Sequence, residues 1–144
     1  MPANPYGNYL EATILSADPI ELVRILYRTA IDCVRDARGC LTAGDIAGRA
    51  RAINKAVAAL RELGLCLNHE ANPALSKTLA ELYDFMQRQL LTANFEQTDA
   101  PMAEVADILD NLYGAWEKVD APEARVWTSD YSQDHADLAS VEAA

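Results

Sequence analysis

The two histidines, three cysteines and a row of arginines are the side chains from which this chain would build a reactive site. In a helical protein, histidine with glutamate three residues earlier would point to a di-iron carboxylate centre, built from Glu-x-x-His motifs facing inward. Cys66 stands three residues before His69, and Ser132 three before His135, so neither histidine carries the motif. A zinc site is not expected either. Cys33 and Cys40 lie two turns apart on one predicted helix, about 10 Å, which is too far to share a metal ion. With Cys66 they make an odd set without a C-x-x-C pair, which reads as reduced, mostly buried small hydrophobes. No G-x-S-x-G elbow or phosphate-binding glycine loop occurs, and both histidines fall in a predicted turn or tail. The chain is therefore expected to be no enzyme, with no metal and no cofactor.

Arg24, Arg28, Arg35 and Arg38 recur along one side of a predicted helix, opposite its apolar stripe. Asp32 and Asp36 sit among them at ion-pairing spacing, so the row reads first as a solvated face and second as a contact strip for an acidic partner.

The elements that would position these side chains are helices. Asp18-Pro19-Ile20-Glu21 supplies a cap, a proline at the first helical position and a capping-box acid. Leu22, Val23, Leu26, Tyr27, Ala30, Ile31, Val34, Ala37 and Leu41 then draw one stripe along a cylinder, with Gly39 and Gly44 marking a frayed end. Asp45 caps a second segment whose seam is Ile46, Ala50, Ile53, Val57, Leu60, Gly64 and Leu67. Residues 68–72 form a turn, and Asn72-Pro73 opens a third helix with Leu75, Leu79, Leu82, Tyr83, Met86 and Leu90, closed by Asn94. Asp99-Ala100-Pro101 opens a fourth with Met102, Val105, Leu109, Leu112, Trp116 and Val119, stopped by Pro122.

Helices of about 20 residues are about 30 Å long, and short connections make sequential neighbours antiparallel. The expected fold is all-α: an antiparallel up-down four-helix bundle over 18–120. A flexible N-terminal segment (1–17) precedes it, and an acidic tail (121–144) with at most one weak helix near 132–141 follows. The 144 residues, 51% hydrophobic and 24% charged, suit one domain. A chain of this size buries roughly two-thirds of its unfolded surface and needs no disulfide to fold. The net charge of −10 comes from the second half: residues 1–72 balance eight acids with eight bases, whereas 73–144 hold 14 acids and four bases. Phosphate recognition needs clustered cations, so neither nucleic acid nor an anionic membrane is the expected partner. Without an apolar run of about 18 residues or a signal-peptide pattern, no membrane insertion and a cytoplasmic location are expected.

Four apolar residues miss the stripes. Ile25 falls on the polar side of the first helix, Leu65 off the second seam, and Phe85 and Leu91 off the third stripe. With one apolar face per helix they would be exposed, and exposed apolar surface marks an interaction site. They are the candidate client-binding residues.

Several ordered pieces resemble one family. Asn4-Pro5-Tyr6-x-x-Tyr9, Ser16-Ala17-Asp18-Pro19-x-x-Leu22 running into Ile25-Leu26-Tyr27 and Ala30-Ile31, Leu82-Tyr83-Asp84-Phe85-Met86 with Leu90 and Ala93-Asn94, and Leu112 to Ala115-Trp116 together resemble the flagellar export chaperone family FliS over residues 4–119. The family's usual Ala-Ser-Pro reads Ala17-Asp18-Pro19 here. Arg28 and Thr29 replace its polar residue and glycine, and the tail beyond Pro122 is longer than the family needs. The resemblance implies a cytosolic, non-enzymatic chaperone. It would bind the C-terminal segment of flagellin, prevent premature polymerisation and help deliver its client to the export gate protein FlhA. It also implies an N-terminal segment that caps the empty client groove or contacts the gate, with Tyr9, Leu10, Ile14 and Leu15 as its apolar contacts, and a chain that is a monomer or weak dimer when free. The rival readings are a bundle adaptor for a different client and a self-associating structural bundle.

Overall fold

The computed structural model describes residues 19–118, which form four helices: α1 (Pro19–Ala43), α2 (Ile46–Leu65), α3 (Pro73–Glu96) and α4 (Ala100–Glu117). The expected cap Asp18, the contacts assigned to Tyr9, Leu10, Ile14 and Leu15, the seam residue Val119 and the acidic tail lie outside the described residues. Around the bundle, α1 packs against α2 and α4, and α3 packs against the other flanks of both. Consecutive helices are thus neighbours, and α2 lies diagonally across from α4.

The turns explain the antiparallel path. α1 does not fray at Gly39; it continues to Ala43 and ends on Gly44, whose φ of +75° suits a residue without a Cβ. The Gly44 N–H reaches the Leu41 carbonyl at 3.2 Å and the Asp45 N–H the Cys40 carbonyl at 2.9 Å, a Schellman ending. Asp45 then starts α2, its carboxylate accepting from the Gly48 N–H at 2.9 Å. A Cβ at Gly48 would run into that carboxylate, so the glycine keeps the cap in place.

Asn68 folds the next turn by accepting from the backbone N–H groups of Glu70 and Ala71, and Asn72 caps α3 at the Leu75 N–H, 3.2 Å away. Asn94 does not close α3, as the sequence reading had it. The helix runs to Glu96 and ends at Gln97 with φ +56°, where the Thr98 N–H reaches back to the Ala93 carbonyl. A left-handed residue that is not glycine costs about 1–2 kcal/mol, which the packing of the turn must offset.

The core follows the apolar stripes. Leu26 and Tyr27 of α1, Ile53, Leu60 and Leu63 of α2, Tyr83, Met86 and Leu90 of α3, and Met102, Val105 and Leu109 of α4 are all buried. Each large apolar side chain withdrawn from water stabilises the bundle by about 1.5–3 kcal/mol. The α2 seam is wider than expected: Ile53, Val57, Leu60 and Leu67 are buried as their spacing requires, Ala50 and Gly64 are half-buried and Ile46 is exposed, while Arg49, Ala52, Ala56, Ala59 and Leu63 are buried as well. The contact between α1 and α2 is the most extensive between any two helices.

Candidate docking surface

The seam between α1 and α4 is bridged by polar bonds, beside a groove of about 450 Å³ walled by Ile31, Arg38, Asp99 and Ala106. The Arg38 guanidinium grips both oxygens of Asp99 at 2.8 and 3.0 Å. Asp99 stands at the N-cap of α4 but makes no cap bond to its own helix, because its carboxylate is turned to Arg38. That hydrogen bond also holds the Asp99 carboxyl below its usual range. Further along, Arg28 donates to the Tyr113 hydroxyl at 3.1 Å. Arg24 and Arg35 pair within α1, with Glu21 at 4.0 Å and Asp32 at 3.6 Å. The arginine row is thus mainly the solvated face first expected, with Arg24 and Arg35 paired to acids of α1, while Arg38 reaches an acid beyond the helix, Asp99 just before α4.

Beneath this seam, polar groups meet in the core. The Trp116 indole N–H donates to the Tyr27 hydroxyl at 3.0 Å, and the Tyr27 and Tyr83 hydroxyls share a hydrogen bond of 2.6 Å. The two rings meet edge-on, 6.3 Å between centroids. Burial pushes both phenols upward, so they stay neutral and hydrogen-bonded. One contact thus joins α1, α3 and α4 in a single register.

The flank shared by α2 and α3 is different. Buried Arg49 of α2 donates to the side-chain and backbone oxygens of Asn94 on α3, at 3.0 and 3.3 Å. Around this bridge the surface is apolar. At about 100° per residue, Leu91 and Phe95 lie further round the same side of α3 than Asn94, and Ile46 lies similarly placed from Arg49 on α2. Leu91 is 50% exposed, Ile46 60% and Phe95 88%, so their apolar area remains in water. Desolvating such a patch gives a partner's apolar helix face a binding site.

Of the four residues singled out in the sequence, Leu65 (59%) and Leu91 are exposed, whereas Ile25 and Phe85 are half-buried. Phe85 packs against the core because α3 buries a wider face than one stripe. The four do not share one groove. Ile25 and Leu65 lie toward the end where α1 begins and α2 finishes, while Leu91 lies near the opposite end, where α3 finishes. Phe85 and Leu91 also point about 120° apart around α3. Phe95 and Ile46 escaped the sequence reading: ending α3 at Asn94 left Phe95 without a helix, and Ile46 fitted the expected seam. The i, i+4 spacing of Leu91 and Phe95 was the signal available.

The thiols are quiet. Burial raises the Cys33 thiol, and burial aided by neighbouring Glu62 pushes Cys66 up to about 12, so both are protonated at neutral pH. Among the described residues no group of three or more His, Cys, Asp or Glu side chains is placed to hold a metal ion. No helix among them is long and apolar enough to cross a membrane.

The chain is thus a helical bundle with a hydrogen-bonded polar seam on one side and exposed apolar side chains on another. Its relatives make the class specific. Residues 2–123 match the family described as "Flagellar protein FliS". The chain is 32% identical over 111 residues to the flagellar secretion chaperone FliS of Salmonella typhimurium, covering 76% of this chain and 82% of that one. It is 30% identical to the Bacillus subtilis protein of the same name over 115 residues, covering 80% and 85%. With that of Vibrio cholerae it shares 26% over 110 residues, covering 76% and 81%. This chain belongs to the FliS family of flagellar secretion chaperones, which is not a family of enzymes.

Proposed function

We propose that the protein is a cytosolic export chaperone for flagellin. It holds the C-terminal segment of its client as short amphipathic helices against the bundle, keeps the subunit from polymerising early and presents it to FlhA at the export gate. The exposed apolar group of Ile46, Leu91 and Phe95 carries the reading, because a preformed greasy surface is what a client segment needs in order to fold on contact. Ordering that segment costs about 2–5 kcal/mol, which leaves binding firm yet reversible. Ile25, Leu65, Phe85 and Leu91 are assigned to client contact. Tyr9, Leu10, Ile14 and Leu15 are assigned to capping the empty groove or to the gate, and catalysis has no part in the mechanism.

Calorimetric titration of a flagellin C-terminal peptide tests the assignment. Leu65→Asp and Phe85→Asp are each expected to weaken binding, and unchanged affinity in both sinks the client surface. Light scattering should show a monomer that becomes a 1:1 complex with flagellin. A stable dimer whose mass flagellin leaves unchanged would favour the self-associating bundle instead.

A further inference from the structure

The side of α2 turned away from the core has no partner helix. Ala47, Arg51, Asn54, Ala58, Arg61 and Leu65 follow one another there at steps of four and three, and all are exposed. The helix is the basic element of the bundle: Arg49, Arg51, Lys55 and Arg61 face a single acid, Glu62, whereas α4 carries Glu104, Asp107, Asp110 and Glu117 and no base. Arg51 and Arg61 form no ion pair with any described residue. Beside Arg51 a groove of about 470 Å³ opens between α1 and α2, with the bases Arg35, Arg51 and Lys55 against the acids Asp36 and Asp45, and with Gly48 and Ala52 small enough for another backbone to come near.

We propose that this face docks the chain's own C-terminal segment, residues 124–144, which begins where the family match ends at 123. Charge is the first argument. The segment holds Asp130, Asp134, Asp137 and Glu142 against Arg125, the sign complementary to α2 and like that of α4. Pattern is the second. Trp127, Tyr131, Leu138 and Val141 fall on one side of a helix, at the same steps of four and three that run along α2, with Asp134 completing the row opposite the arginines.

Length is the third. α4 ends at the same end of the bundle as α2, diagonally across it. Helix axes about 10 Å apart put that diagonal near 14 Å and a helix on the outer face of α2 about 24 Å away, which the residues from 118 to 125 span when fully extended, at up to about 24 Å. In helical form the 19 residues from 126 to 144 extend about 28 Å, matching the roughly 30 Å of the 20-residue α2. Laid antiparallel to α2, the segment brings Trp127 over Leu65 and its carboxylates along Arg61 and Arg51. The inference concerns this chain's own extension, and at Leu65, which the proposed function gives to the client, the segment and the client exclude one another.

Amide hydrogen exchange on the full chain, read by mass spectrometry for peptides within 126–144 and within α2, tests it. At low salt, residues 126–144 should exchange more slowly than an unstructured chain. Raising the salt from about 0.02 M to about 0.5 M should speed their exchange about fivefold or more. Arg51→Glu with Arg61→Glu should do the same at low salt while circular dichroism stays helical. Adding Asp134→Arg and Asp137→Arg to that double variant should restore protection. Exchange at the unprotected rate in the wild-type chain overturns the proposal. So does protection indifferent to the α2 charges, and so does protection that grows with protein concentration, which would make the occupant a second copy.

Discussion

The two long flanks of the bundle bury similar cores and treat their rims in opposite ways. Between α1 and α4 the rim is wired: Arg38 to Asp99, Arg28 to Tyr113, and below them Trp116, Tyr27 and Tyr83 hydrogen-bonded through the interior. Between α2 and α3 one buried bridge, Arg49 to Asn94, holds the end, and Ile46, Leu91 and Phe95 are left in water around it. Polar bonds at a rim have fixed geometry and specify one arrangement. Apolar groups at a rim are indifferent to geometry and accept any partner that removes them from water. One flank thus fixes the arrangement of the helices, and the other leaves apolar side chains in water.

This contrast breaks most visibly by removing the open flank. Leu91→Asp with Phe95→Asp should weaken flagellin-peptide binding about 100-fold in calorimetry. The melting temperature should stay within about 2 °C, because neither side chain supports the core. A large fall in melting temperature would mean that the flank is structural after all.

The closed flank should show the reverse response. Tyr27→Phe breaks its bonds to both Trp116 and Tyr83 and should cost about 2 kcal/mol in urea unfolding, with client affinity little changed. Tyr83→Phe breaks one of the two and should cost about half as much. Equal costs would show that the indole bond contributes nothing.

Arg49→Met sharpens the comparison from within the open flank. The buried guanidinium loses its bonds to Asn94, but its desolvation is relieved, so a net loss of about 1 kcal/mol is expected. A stabilised variant would indicate that the bridge is kept for register and not for stability.

The smallest effect belongs to Arg38→Ala. The ion pair is about half-exposed and screened by solvent, so the loss should stay under about 1 kcal/mol. Its pH dependence has a definite sign. Asp99 is held below its ordinary value of 3.8, so the pair contributes fully above that value and fades as pH falls through the lowered one. The gap between wild type and Arg38→Ala in urea titrations should therefore be constant near neutrality and close in acid. A gap that widens in acid would reverse the assignment.

Much of the architecture was legible in the sequence because it rests on local rules. Asp45 and Asn72 do cap α2 and α3, Pro19 and Pro73 begin their helices, and Leu26, Leu60, Met86 and Leu109 are core as their spacing required. The misplaced end of α3 has a distant cause. Asn94 is a common helix stop, but here its side chain is taken by Arg49, 45 residues earlier, and Gln97 ends the helix instead. Ile46, a seam residue by its spacing, is exposed, whereas Arg49, three residues on and about 60° round the helix, turns inward to Asn94 of α3, a contact that no local rule foresees.

By itself, then, the sequence determined four helices, their caps, their buried stripes and the up-down path, because helical period, capping and short connections act over a few residues. Which flank is closed and which stays open was decided by the tertiary structure. Arg38 and Asp99 stand 61 positions apart and Tyr27 and Trp116 stand 89 apart, and no local rule links them. Only when the helices take their order around the core does one set of rim residues meet a partner and the other remain facing water.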